Sequence, residues 1–166
     1  MSKISQNCMS YTPTATADTT NLTDVTYLAI QGGTSTQRSK IVEVFQGGQA
    51  GASAPTFSIL ARDSTIGVTL SNTSGGRNAA LDAAVAAIAS PPVGFNTATT
   101  KPQRSSTLAL LNLSYNAFGG IVRWVEAQGM EVTIVGNTAS LGEISLSTFT
   151  GGRPGLMGAH IIYEPY

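Results

Sequence analysis

From Tyr27 onward the chain is a succession of short apolar runs cut by turn residues, and this pattern most narrows the folds open to it. "TYLAIQGG" and "SKIVEVFQGG" both close on a glycine pair, a strong breaker, and "TFSILARD" follows after the loop "QAGASAP". Then come "STLALLNLSYN", "GGIVRWVEA", "MEVTIVGN", "LGEISLST" and "AHIIYEP". In "MEVTIVG", Val132 and Ile134 alternate with Glu131 and Thr133, and in "LGEISLS", Ile144 and Leu146 oppose Glu143 and Ser145. A period of two marks strands with one wet face, and short strands between Gly-rich turns predict a β-sandwich or barrel. "TLALLNL" is apolar on both faces and reads as a central, doubly covered strand. "EAQGM" reads as a short hairpin loop, and the C-terminal strand as an edge.

Residues 1–25 are dominated by Thr, Ser, Asn and Ala, too polar to offset their ordering entropy alone. They read as an extended N-terminal arm or a loose tail, with residues 26–166 as a single β domain. The stretch 90–106, "SPPVGFNTATTKPQRSS", reads as a long loop that is functional or rests on something. One helix is expected, at 77–89, "RNAALDAAVAAIA", stopped by Pro91 and Pro92. Leu81, Ala84, Val85 and Ile88 would pack on the sheet, and Ala79, Ala83 and Ala86 would face outward. A bare alanine face is harmless in itself, because alanine is the best helix former. Its other reading is a contact surface, where small side chains let another backbone come close.

Composition bears on partners. Only 11% of residues are charged, against a usual figure of about 25%. In their place stand 17 Ser, 21 Thr and 18 Gly. Hydroxyls and glycine cost less to desolvate than ions, which favours burial against other protein chains. Nine basic and nine acidic residues balance, so there is no basic stripe for nucleic acid. No apolar stretch approaches the ~20 residues of a membrane span, and the N-terminus lacks the apolar region of a secretory signal. Synthesis in the cytoplasm is the expectation.

Chemistry-bearing residues are sparse. Cys8 is the single cysteine and His160 the single histidine, and no GxSxG elbow accompanies them. The nine acids are scattered singly, so no metal, cofactor or catalytic site is expected. "SGGRNAA" lacks Walker or dinucleotide spacing. Trp124 shares a strand face with Val122 and reads first as a core anchor; with Tyr115 and Phe118 it is also the candidate lining of a ligand groove. Ala79, Ala83, Ala86, Arg153, Tyr163 and Tyr166 are the candidate subunit-interface residues.

"YLAIQGGTSTQRSKIVEVFQGG" and "IVRWVEAQGMEVTIVGNTASLGEISLS…GLMGAHIIYEP", within residues 27–165, resemble the small virion structural proteins of tailed bacteriophages, especially head decoration or cement proteins. The resemblance implies an antiparallel β-sandwich of jelly-roll or β-tulip type, commonly a homotrimer bound to the major capsid protein at symmetry axes. It implies a non-enzymatic virion protein, with a carbohydrate- or receptor-binding tail-fibre or lectin-type module as the alternative.

Overall fold

The computed structural model describes residues 3–12, 21–23, 26–34, 36–73, 75–83, 92–136, 141–148 and 155–166. Its strands are β1 (Ile4–Tyr11), β2 (Tyr27–Gln31), β3 (Ser39–Gly48), β4 (Pro55–Thr65), β5 (Val68–Ser71), β6 (Gly76–Ala80), β7 (Val93–Phe95), β8 (Thr97–Thr100), β9 (Gln103–Asn116), β10 (Ile121–Val125), β11 (Val132–Ile134), β12 (Glu143–Thr148) and β13 (Met157–Pro165). The chain is mainly β and every strand pair is antiparallel. The first sheet runs β10-β3-β13-β1-β6, with β11 also on β3; the second runs β7-β2-β12-β4-β9; β5 and β8 form a separate two-stranded ribbon.

The inner faces of the two large sheets meet in one apolar core. Ile41, Val44, Met157, Ile161 and Tyr163 come from the first sheet, and Leu28, Ile30, Leu60, Ile144 and Leu146 from the second. Full burial of each such side chain contributes about 1.5–3 kcal/mol. Strict alternation breaks at "IVEV", where Ile41 and Val44 both point inward. The register with β13 explains it: Glu43 faces Ile162 and Ile41 faces Tyr163, so Val42 is the extra residue of a bulge. A second, smaller core lies on the far side of the second sheet, where Leu22, Tyr27, Ala29, Leu70, Phe95 and Ala98 pack together. The β5–β8 ribbon therefore covers the outer face of that sheet at β2 and β7.

Several expectations are corrected. Among the described residues there is no helix. Positions 77–80 lie in β6, with Asn78 opposite Gln6, Ala79 opposite Ser5 and Ala80 opposite Ile4; Leu81 N donates to Lys3 O at 2.9 Å. Leu81 is exposed and Ala84–Ala89 lie outside the described residues. Alanine's helix preference is worth only tenths of a kcal/mol per residue, less than the ladder offered by the open side of β1. Gly76 anchors that ladder, since a Cβ there would stand 2.7 Å from Asn96 Nδ2.

Within the segment expected as an arm, residues 4–11 are an inner strand bonded on both sides, and Leu22 is fully buried. The expected loop at 90–106 holds β7, β8 and the start of β9, resting on the second sheet. "EAQGM" is not a hairpin turn: β10 and β11 both pair with β3, one after the other along the same edge. No helix among the described residues is long and apolar enough to cross a membrane.

Candidate interaction surfaces and a buried polar layer

The outer face of the first sheet carries an aligned row, Arg77, Asn7, His160, Phe45 and Arg123, across five strands. Glu43 clasps it: Oε1 lies 2.9 Å from His160 Nε2, and Oε2 accepts from Arg123 Nη2 at 2.6 Å. The Phe45 and His160 rings stack, centroids 5.1 Å apart. The bond from Arg123 holds the Glu43 carboxyl below its ordinary range, against partial desolvation and with help from His160. Both carboxylate oxygens are committed to these partners, so the cluster ties β3, β10 and β13 together. Among the described residues no three His, Cys, Asp or Glu side chains gather as a metal site.

The structure separates the residues singled out from sequence. Ala79 and Ala83 are exposed, Ala79 on β6 at the edge of the first sheet; Ala86 and Arg153 lie outside the described residues. Tyr163 is a core residue and not part of a surface, because β13 is central, between β3 and β1. Its hydroxyl donates to Asn78 Oδ1 at 3.2 Å or Pro92 O at 3.3 Å. Tyr166 is half-exposed and lines a shallow cleft with Lys40, Glu131, Thr133 and Glu164. Trp124 and Tyr115 pack half-buried against the main core, and the Tyr115 hydroxyl reaches Met157 Sδ at 3.0 Å. Phe118 is exposed on the turn after β9.

The strand expected at the centre of a sheet, β9, is an edge strand. Residues 111–116 pair regularly with β4, Leu111 opposite Leu60 and Asn116 opposite Pro55. Toward Arg104 the register shifts repeatedly, and Ser106–Ala109 stand exposed. From Ser105 to Val122 there is no Asp, Glu, Lys, Arg or Pro.

The feature least expected from sequence is polar and dry. Glu143, Ser145 and Ser147 alternate with core residues, yet all three are buried. The period-two pattern marks which face of β12 is polar but not that Gly67 and the Arg104 guanidinium close against it. Ser145 Oγ donates to Asp63 Oδ1 at 2.7 Å. Glu143 Oε2 accepts from Gln31 Nε2 at 2.8 Å and from Gly67 N at 3.0 Å. Gln31 Nε2 also donates to Gly67 O at 2.9 Å. Arg104, opposite Asp63 in the ladder, sends Nη1 to Ser147 Oγ and Thr148 O. Burial pushes both acids up; in addition, Asp63 is raised by the neighbouring Glu143 charge and by their mutual hydrogen bond. That bond lowers Glu143 without offsetting its burial, so both carboxyls stand above their ordinary range.

No family model and no curated protein matches the chain. Among solved structures, a chain from infectious bursal virus-derived T=1 particles aligns at 14% identity and a TM-score of 0.12, over 93% of this chain and 39% of that one. A likeness at this level carries no argument about fold or function.

Proposed function

We propose that the protein is a non-enzymatic structural component of a virion, a decoration or cement protein that self-associates and binds across neighbouring capsid subunits. Eight strands, taken in chain order as β1, β2, β3, β4, β9, β10, β12 and β13, are shared between two sheets ordered β1-β13-β3-β10 and β2-β12-β4-β9, changing sheet at every step except from β4 to β9. This order supports a reading as a jelly-roll sandwich, an architecture shared by viral capsid and lectin domains. The observation that carries the reading is the edge strand β9. Edge strands are normally blunted by charge, proline, shortness or bulges. In β9 the bulges sit only in the half toward Arg104, and the regular half, 111–116, is free of charge.

A second copy fits this edge. Antiparallel pairing about a two-fold axis at Leu113 sets Leu111 opposite Tyr115 of the second copy, and Asn112 opposite its Ser114. Apolar meets apolar on the core face, polar meets polar outside, and no like charges meet. The strand would then become the doubly flanked one that its sequence describes.

Light scattering over a concentration series tests this. The wild type is expected to gain mass with concentration. Asn112→Lys with Ser114→Lys places lysines opposite lysines at two exposed pairs, about 1–2 kcal/mol together, and should weaken association about tenfold. Asn112→Lys with Ser114→Glu should restore it. A strict monomer with no affinity for capsid particles overturns the proposal. The glycan-binding alternative retains exposed Phe118 and the Phe45–His160 stack, and a positive glycan array would favour it.

A further inference from the structure

Asp63 and Glu143 are inaccessible to solvent and lie on the neighbouring strands β4 and β12. One oxygen of each is satisfied, Asp63 Oδ1 by Ser145 and Glu143 Oε2 by Gln31 and Gly67. The other two, Asp63 Oδ2 and Glu143 Oε1, are buried and meet no N–H or O–H donor from any third group. One step beyond the pair Ile144–Arg62, the β4–β12 register brings Asp63 beside Glu143, so the two partnerless oxygens belong to neighbouring carboxyls, and a bond between them requires one proton. A hard cation is a poor substitute, since calcium or magnesium takes about six or more oxygen ligands and only two oxygens are spare.

The charges facing the pair balance in one protonation state. Asp63 comes from β4, Glu143 and Ser145 from β12, Gln31 from β2, Gly67 N from the start of the ribbon and Arg104 from β9. Among the described residues, Arg104 is the cation acting on Asp63. With one proton, the neutral Asp63, anionic Glu143 and cationic Arg104 sum to zero. Without it, a net negative charge is left in a layer closed to water, where an uncompensated charge costs several kcal/mol.

The pair also grips a particular point of the chain. Gly67 lies between Thr65, the end of β4, and Val68, the start of β5. Both its main-chain groups are held, the N–H by Glu143 and the carbonyl by Gln31. A Cβ there would stand 2.9 Å from Leu70 Cδ2 and 3.1 Å from the Phe95 ring, so Gly67 is wedged at the root of the ribbon. The smaller core beneath it holds five buried side chains and the half-buried Leu70, far fewer than the main core. An element fastened by few apolar contacts opens at lower free energy than the body.

We infer that a single proton shared by Asp63 and Glu143 latches the β5–β8 ribbon onto the second sheet, and that its loss as pH rises frees the ribbon while the two-sheet body stays folded. The inference is independent of what the protein binds.

Amide hydrogen exchange, corrected for intrinsic rates, reads it directly. In the wild type, protection of Val68–Ser71 and Thr97–Thr100 should fall about tenfold per pH unit once the shared proton titrates, while Ile41–Gln46 in β3 stays protected. Asp63→Asn keeps the geometry, its amide donating to Glu143 as the acid does, and should hold ribbon protection flat over the same range. Infrared spectra of the wild type at neutral pH should retain a protonated carboxyl C=O band that vanishes over the pH interval in which protection falls. This measurement decides the matter even if Asp63→Asn does not fold. Ribbon protection indifferent to pH, parallel loss in β3, or absence of that band at neutral pH overturns the latch.

Discussion

At the scale of single residues, the side chains that most shape this protein's behaviour look ordinary in its sequence. Asp63 stands in "LARDST" as a strand-end acid and Glu143 as a wet-face residue, yet both are fully buried. Nothing local distinguishes them from Glu43, which meets Arg123 and His160 on the outer face. The difference is what packs against them from elsewhere in the chain, Gly67, Gln31 and the Arg104 guanidinium. The consequences for pH run in opposite directions. Asp63 is raised when folded, so its contribution is complete below the unfolded aspartate value near 4 and is lost as pH rises through the folded value. Glu43 is lowered, so its contribution is present above the unfolded glutamate value of about 4.3 and is lost as pH falls through the folded value. Thermal melting followed across pH should therefore show greatest stability in mildly acidic buffer and a decline toward neutral and alkaline pH. Asp63→Asn should remove most of the alkaline decline, because an amide has no proton to lose. Tyr163→Phe leaves the ring packed but deletes the hydroxyl's bond to Asn78 or Pro92, with an expected loss of about 1 kcal/mol in chemical denaturation.

At the scale of elements, most strands were legible and their places were not. Runs such as "YLAIQ" and "EISLST" announce β2 and β12 by composition and alternation. Position within a sheet depends on which backbone comes to lie alongside, and that is set by non-local pairing. Hence β13, terminal in sequence, is central, while β9, apolar on both faces, is at an edge. The alanine-rich segment shows the same override: intrinsic helix preference yields at 77–80 to hydrogen bonds offered by β1. Close backbone approach is equally invisible in one dimension. Gly48 donates its N–H to Gly120 O at 2.8 Å, and a Cβ at Gly48 would lie 2.1 Å from Ala117 O. Because the obstacle is main chain, Gly48→Ala should displace the β9–β10 turn and cost about 1–3 kcal/mol or more, measurable by chemical denaturation. The candidate interface residues divided in the same way: Ala79 and Tyr166 reach the surface, whereas Tyr163 is enclosed by the strands on either side.

At the scale of the whole molecule, low charge has two expressions. On the surface it leaves an edge strand that nothing electrostatic keeps from a second copy. Inside, it leaves one buried cluster whose few charges must balance among themselves. Both follow from a chain that replaces ions by hydroxyls, amides and glycine; composition announces the low charge but neither the edge nor the cluster. The central claim is that the open β9 edge is a contact surface, and small-angle X-ray scattering at rising concentration tests it most directly. A compact 166-residue monomer has a radius of gyration of about 15 Å. Joining two copies through β9 places their centres about five strand spacings apart, roughly 24 Å, and raises the radius to about 20 Å. The account expects that rise in the wild type, and its suppression by Asn112→Lys with Ser114→Lys. A radius that stays near the monomer value at every concentration, alone and in the presence of capsid particles, would contradict it.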